Sequence, residues 1–156
     1  GVRCLEDDEL VEQLVRDQTP LTVCPLSNVR LCVVDEMKDH PILAMLDKGL
    51  LVTVNSDDPP YFGGYLNDNF LAMVGGLALN QAQAKQLAAN SFKASFLDED
   101  KKVQFLDALE AFEAKRLTFS KSLKSMYATI WVVHIKQVGD RLWGLLCLEA
   151  MISIRL

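Results

Sequence analysis

Two short segments hold the residue types from which a reactive centre could be built. The first is Asn55-Ser56-Asp57-Asp58-Pro59, which directly follows the apolar run Leu50-Leu51-Val52-Thr53-Val54. In open α/β sheets and in barrels alike, ligands bind at the C-terminal ends of the strands, where these two carboxylates would stand. Successive side chains leave an extended chain in different directions, so one carboxylate can hold a metal ion while its neighbour faces a substrate. The plainer alternative is a turn, because Asp-Asp-Pro also reverses a chain and caps a following helix. The second segment is Cys24-Pro25-Leu26-Ser27-Asn28, placed after another apolar run, Leu21 to Cys24. Ser27 has no His and Asp companions at a recognisable spacing, which argues against a serine hydrolase. Gly63-Gly64 precedes a helix without the full spacing of a phosphate-binding loop, so a tight turn or a close backbone approach is the better reading.

Elements that could position these segments follow from periodicity and punctuation. Asp7 and Asp8 can cap a helix whose apolar residues Leu10, Val11, Leu14 and Val15 share a face, and Thr19-Pro20 ends it. Leu21–Cys24 reads as a strand stopped by Pro25, with Ser27 and Asn28 in the loop behind it. Pro41 occupies a first helical position, Ile42, Leu43 and Leu46 form a face, and Gly49 stops that helix. The run Leu50–Val54 is apolar enough for a parallel strand covered on both faces. Phe70, Val74 and Leu77 predict a further helix that Gly75-Gly76 weakens, and Ala84, Leu87 and Ala88 mark another. Asp98 then caps a last acidic helix carrying Phe105, Leu106, Leu109 and Phe112. Strands alternating with helices through short loops predict a parallel α/β architecture, and two such strands alone do not make a stable sheet.

Charge divides the chain of 156 residues. Residues 1–114 hold nine Lys/Arg against nineteen Asp/Glu, whereas residues 115–156 hold seven against two. The later segment therefore reads as a separate basic and apolar extension, with Thr129 to Ile135 strand-like and no motif of its own. A net charge of −5 argues against generic nucleic-acid binding, and Arg141 and Glu149 interrupt the apolar Leu142–Ile154 region, against a membrane span. No export signal opens the chain, and Cys4, Cys24, Cys32 and Cys147 are irregularly spaced, which predicts reduced thiols in the cytoplasm. His40, just before Pro41, reads as a capping or surface histidine, and His134 as a partly buried, hydrogen-bonded one.

Cys24-Pro25-Leu26-Ser27-Asn28 and Asn55-Ser56-Asp57-Asp58-Pro59, continued by Tyr61-Phe62-Gly63-Gly64-Tyr65, together resemble the adenosine/adenine deaminase family of metal-dependent hydrolases. The resemblance covers residues 1–114 and is strongest to the adenine deaminase branch. It implies the C-terminal part of a (β/α)8 TIM-type barrel, incomplete in this chain, contributing the seventh and eighth strands and the terminal helices. By this resemblance Asp57 is a ligand of a zinc ion (Zn2+), Asp58 contacts the substrate, and Ser27, Asn28, Tyr61 and Phe62 are candidates to line a purine pocket. The implied substrate is a purine base or nucleoside, with adenine going to hypoxanthine and ammonia in purine salvage.

The chain also departs from the family pattern. The His-x-His pair, the further metal-binding histidine and the His-x-x-Glu acid are absent, and the sixth-strand His-Gly motif would end at Gly1. His40 and His134 do not stand at positions that replace them. The expectations are a start upstream of Gly1, no deamination by the isolated chain, and activity only with a partner, either the missing N-terminal half or an intact homologue. The alternatives are an adenosine deaminase and a non-catalytic partial-barrel binding protein.

Overall fold

The computed structural model describes residues 1–115, of which Gly1–Glu110 form the first compact unit. His134, Cys147 and the strand-like Thr129–Ile135 lie outside the described residues. A 3-10 turn at Val2–Glu6 leads into α1 (Asp8–Asp17). Asp7 is its N-cap, and the Asp7 Oδ1 accepts a hydrogen bond from the Leu10 amide at 3.0 Å, satisfying one of the donors that a helix start leaves unpaired. Strand β1 is Leu21–Val23, one residue shorter than Leu21–Cys24.

Helix α2 (Pro25–Arg30) begins at once, with Cys24 as its N-cap. Ser27 and Asn28 are therefore helical, which corrects their placement in a loop. Pro25 is the physical reason: at a first helical position its fixed φ suits the helix and its missing N–H would have had no partner. A second 3-10 turn, Met37–Asp39, precedes α3 (Ile42–Asp47), whose N-cap is Pro41 rather than its first residue. Gly49, at φ +84°, ends it as expected.

Strand β2 (Val52–Val54) pairs in parallel with β1 in the register Leu21↔Val52, Thr22↔Thr53, Val23↔Val54. All three β2 residues are buried, as a strand covered on both faces requires. Val23, Val52 and Val54 join Ile42, Met45, Met73 and Leu87 in the core. Leu51 and Asn55 bond to Leu21 and Val23, so Val52, between them, turns its carbonyl to the opposite edge of the strand. There the buried Asn90 donates its Nδ2 to the Val52 carbonyl at 2.9 Å, covering an edge group that would otherwise be unpaired.

Asn90 belongs to α6 (Gln81–Lys93), which follows α4 (Pro59–Phe62) and α5 (Leu66–Leu77). Residues 99–115 form α7, and the Asp98 carbonyl accepts from the Lys101 and Lys102 amides at its start. The expected face of α5 holds at Phe70 and Leu77, which pack against the core, but not at Val74, which is 45 % exposed. The fully buried residues are Asn69 and Met73, with Gly76 one turn further on. A side chain at Gly76 would meet the Met37 Cγ at 2.6 Å, so the glycine that weakens the helix locally is what lets the Met37–Asp39 turn pack against it. The fold is α/β, with a parallel two-stranded sheet as its centre.

Candidate active site

Both motif segments leave the sheet at the C-terminal ends of adjacent parallel strands. After β2, the Asn55 amide donates to the Val23 carbonyl at 2.8 Å, extending the ladder one step, and the Asn55 Nδ2 donates to the Thr53 Oγ1 at 2.8 Å. Asp57 then takes a left-handed conformation, φ +56°. Asp is among the few non-glycine residues that occupy this region readily, and here it swings the chain out of the strand direction. Asp58 follows as the N-cap of α4 by backbone position, without a capping hydrogen bond from its side chain. The simple turn-and-cap alternative thus describes the backbone and leaves both carboxylates, which are exposed, available.

Ser27 joins the two segments. Its side chain is buried, and its Oγ donates to the Asp57 Oδ2 at 2.8 Å across 30 positions of sequence. The other Asp57 oxygen has no protein partner among the described residues, which suits it to a metal ion needing oxygen or nitrogen donors. One carboxylate is a single ligand, and among the described residues no group of three or more His, Cys, Asp and Glu could hold a metal. Asp57 fits a zinc site as one donor of a set completed by other residues.

Cys24, at the end of β1, is kept protonated: burial raises its thiol pKa first and the Asp57 charge adds to it, partly offset by a hydrogen bond from the Asp57 backbone. A thiol in that state is a poor nucleophile and a poor ligand. The Asn28 Oδ1 accepts from the His40 Nε2 at 3.1 Å. His40 caps α3, its Nδ1 accepting from the Ile42 amide at 3.2 Å, so the remaining ring proton sits on Nε2. It is only 3 % exposed, which corrects a surface position, and burial lowers its pKa to about 4. Tyr61 is exposed and stands edge-on to Phe62 with ring centres 4.9 Å apart. Gly63 turns the chain at φ +84°, and a side chain at Gly64 would come within 2.5 Å of Leu26, so the glycine pair lets the backbone approach α2.

Two buried asparagines carry no motif and escaped the sequence. The Asn69 Oδ1 accepts from the Leu26 amide at 3.0 Å while its Nδ2 donates to the Tyr65 carbonyl at 2.9 Å, tying the start of α5 to α2. Asn90 does the equivalent for β2. The one available signal was a polar residue at core spacing, Asn69 four before Met73 and Asn90 three after Leu87. A recess of about 400 Å³, lined by Gln18, Leu50, Gln83 and Lys93 among others, opens at the opposite, N-terminal ends of the strands. It holds none of the motif residues, and the carboxylates, rather than this recess, locate the chemistry.

A parallel α/β unit with a carboxylate pair at the C-terminal ends of its strands presents those groups where α/β enzymes bind their ligands. The adenosine deaminase family model matches residues 1–112, and the chain belongs to that family. It is 57% identical over 112 residues to an adenine deaminase of Hahella chejuensis, covering 72% of this chain and 34% of the relative. An adenine deaminase of Wolinella succinogenes is 58% identical over 106 residues, 68% of this chain and 32% of the relative. Among solved structures, the adenine deaminase from Arthrobacter aurescens matches with a TM-score of 0.71 and 50% identity, covering 73% of this chain and 35% of its own. The chain spans about a third of the length of the curated relatives it matches.

Proposed function

We propose that this chain supplies the Asp57–Asp58 site segment of a zinc-dependent purine deaminase, and that adenine is the substrate. The observation that carries the reading is the Ser27–Asp57 hydrogen bond, which brings both motif segments together at the strand ends. The adenine deaminases at 57% and 58% identity support adenine over adenosine. The two parallel strands are then the seventh and eighth of a (β/α)8 barrel whose other strands lie outside this chain. Among the described residues, no helix is long and apolar enough to cross a membrane.

The reaction breaks the C–N bond to the exocyclic amino group of adenine, forms a C–O bond from water, and releases ammonia. Zinc, when bound, supplies the acidity that makes hydroxide available near neutral pH. Asp57 would help to hold that ion through the carboxylate oxygen that Ser27 leaves unbonded. Asp58, adjacent and exposed, accepts a hydrogen bond from a purine N–H and so orients the ring. Tyr61 and Phe62, in edge-on contact shortly after Asp58 in the chain, are the candidates to line the purine pocket.

The isolated chain lacks a described ligand set and should release no ammonia from adenine. Its partner is a polypeptide contributing the complementary part of the barrel. The test is a chimera: the Hahella chejuensis adenine deaminase carrying this whole chain in place of its own matching third. Turnover of adenine, abolished by Asp57→Ala, supports the reading. A folded, zinc-loaded chimera that releases no ammonia from adenine overturns it, and turnover of adenosine in preference to adenine moves the substrate to the nucleoside.

A further inference from the structure

We propose that Ser27 is a positioning residue for Asp57, and that two buried polar latches on either side of Ser27 exist to place its hydroxyl. The proposal rests on the reading above, in which Asp57 is a zinc ligand, and it adds a residue outside the ligand set.

Three observations lead to it. Ser27 is 2 % exposed, so its hydroxyl has no access to bulk water and its single proton goes to the Asp57 Oδ2 at 2.8 Å. Asp57 itself is exposed and in a left-handed conformation, and that contact is the one side-chain hydrogen bond it makes among the described residues. Without it, the carboxylate could rotate about χ1 and χ2 among several solvated orientations. With Oδ2 engaged, the other oxygen is held in one direction, as a metal ligand needs.

The helix turn that carries Ser27 is held at both neighbours. At Leu26, the backbone amide donates to the fully buried Asn69 at 3.0 Å. At Asn28, the side-chain oxygen accepts from the buried His40 at 3.1 Å, and His40 is in turn fixed by the Ile42 amide. In this six-residue helix, Pro25 and Ser27 are the buried residues, and the residues on either side of Ser27 make the two polar contacts. Two desolvated polar contacts flanking one residue restrict that residue's position to a fraction of an ångström, the tolerance of a metal site. They tie Ser27 to α5 on one side and to the start of α3 on the other.

The experiment uses the zinc-loaded chimera and reads zinc affinity by competition with a chelator, alongside the melting temperature of the zinc-free protein. Ser27→Ala is expected to weaken zinc by about tenfold or more, the usual size of such effects, with the zinc-free melting temperature little changed. Ser27→Thr, which keeps the hydroxyl, is expected to hold affinity within about threefold. Asn28→Ala, which loosens the turn without touching Asp57, should cost about threefold. Asp57→Ala is the control: if it binds zinc as the parent does, the reading of Asp57 as a ligand fails. If Asp57→Ala loses zinc while Ser27→Ala binds it as the parent does, the positioning role is overturned and the ligand reading stands. Should the Ser27→Ala protein not fold, Ser27→Thr decides, because a tenfold loss with the hydroxyl retained contradicts positioning by that hydroxyl. Unchanged affinity in Asn28→Ala removes the His40 latch from the proposal.

Discussion

The chain leaves its two strands in opposite ways. After β1 it enters a helix immediately, buries Ser27 and ties three successive residues to protein partners: Leu26 to Asn69, Ser27 to Asp57, Asn28 to His40. After β2 it passes through a left-handed residue and presents Asp57 and Asp58 to solvent. One rim is a platform and the other carries the groups that a ligand would meet. The difference shows how a site of exposed carboxylates can be geometrically defined: the neighbouring strand end supplies the rigidity that the exposed loop lacks.

The comparison is broken most severely at the presenting end. Asp57→Ala in the chimera is expected to lower kcat/KM for adenine at least about a thousandfold, roughly 4 kcal/mol of transition-state stabilisation. Steady-state ammonia release measures it, and a loss below tenfold would show that Asp57 is not a ligand.

The platform is broken by acid. His40 is buried with its pKa lowered to about 4 from an ordinary 6.5, so the unfolded chain takes up a proton that the folded chain refuses. Stability is therefore full above about pH 6.5 and falls as the pH drops toward 4, by up to about 3 kcal/mol. Urea unfolding between pH 4 and 7 tests this, and His40→Gln should flatten that part of the profile.

Asn69→Ala strands the Leu26 amide and the Tyr65 carbonyl, at an expected cost of about 2 kcal/mol. Denaturant midpoints at constant slope would record it, and a change under 0.5 kcal/mol would mean that water replaces the amide. The smallest effect is a balance of two opposed ones. Asp57→Gly relieves a residue at φ +56° but strands the buried Ser27 hydroxyl, so it is expected to change stability by less than about 1 kcal/mol while abolishing turnover. Loss of turnover with a nearly unchanged melting temperature would place the role of Asp57 in the site rather than in the fold, and a large fall would place it in the fold.

Much of this arrangement was legible in one dimension. Asp7, Gly49 and Asp98 mark helix ends by local chemistry, and the apolar run before Asn55 marks a strand buried on both sides. The Asp57–Asp58 pair and the Cys24–Asn28 segment were recognisable as residue types placed after strands. The helical state of Ser27 and Asn28 was misread because Pro25 can stop a strand and start a helix equally well. The α5 face was legible at Phe70 and Leu77 but not at Val74, because its most deeply buried positions include Asn69, which carries no apolar signal, and because Gly76 admits Met37 where no larger residue could stand.

Local sequence determined what short-range physics controls: which segments are helix or strand, where most of them stop, and which residues could donate or ligate. Only the tertiary structure decided the pairings. Ser27 and Asp57 lie 30 positions apart, Leu26 and Asn69 lie 43, and Val52 and Asn90 lie 38. No periodicity or cap relates residues at such separations. They meet because parallel pairing of β1 and β2 aligns the two strand ends, and because burial denies Ser27, Asn69 and Asn90 water, so that each takes a partner across the fold.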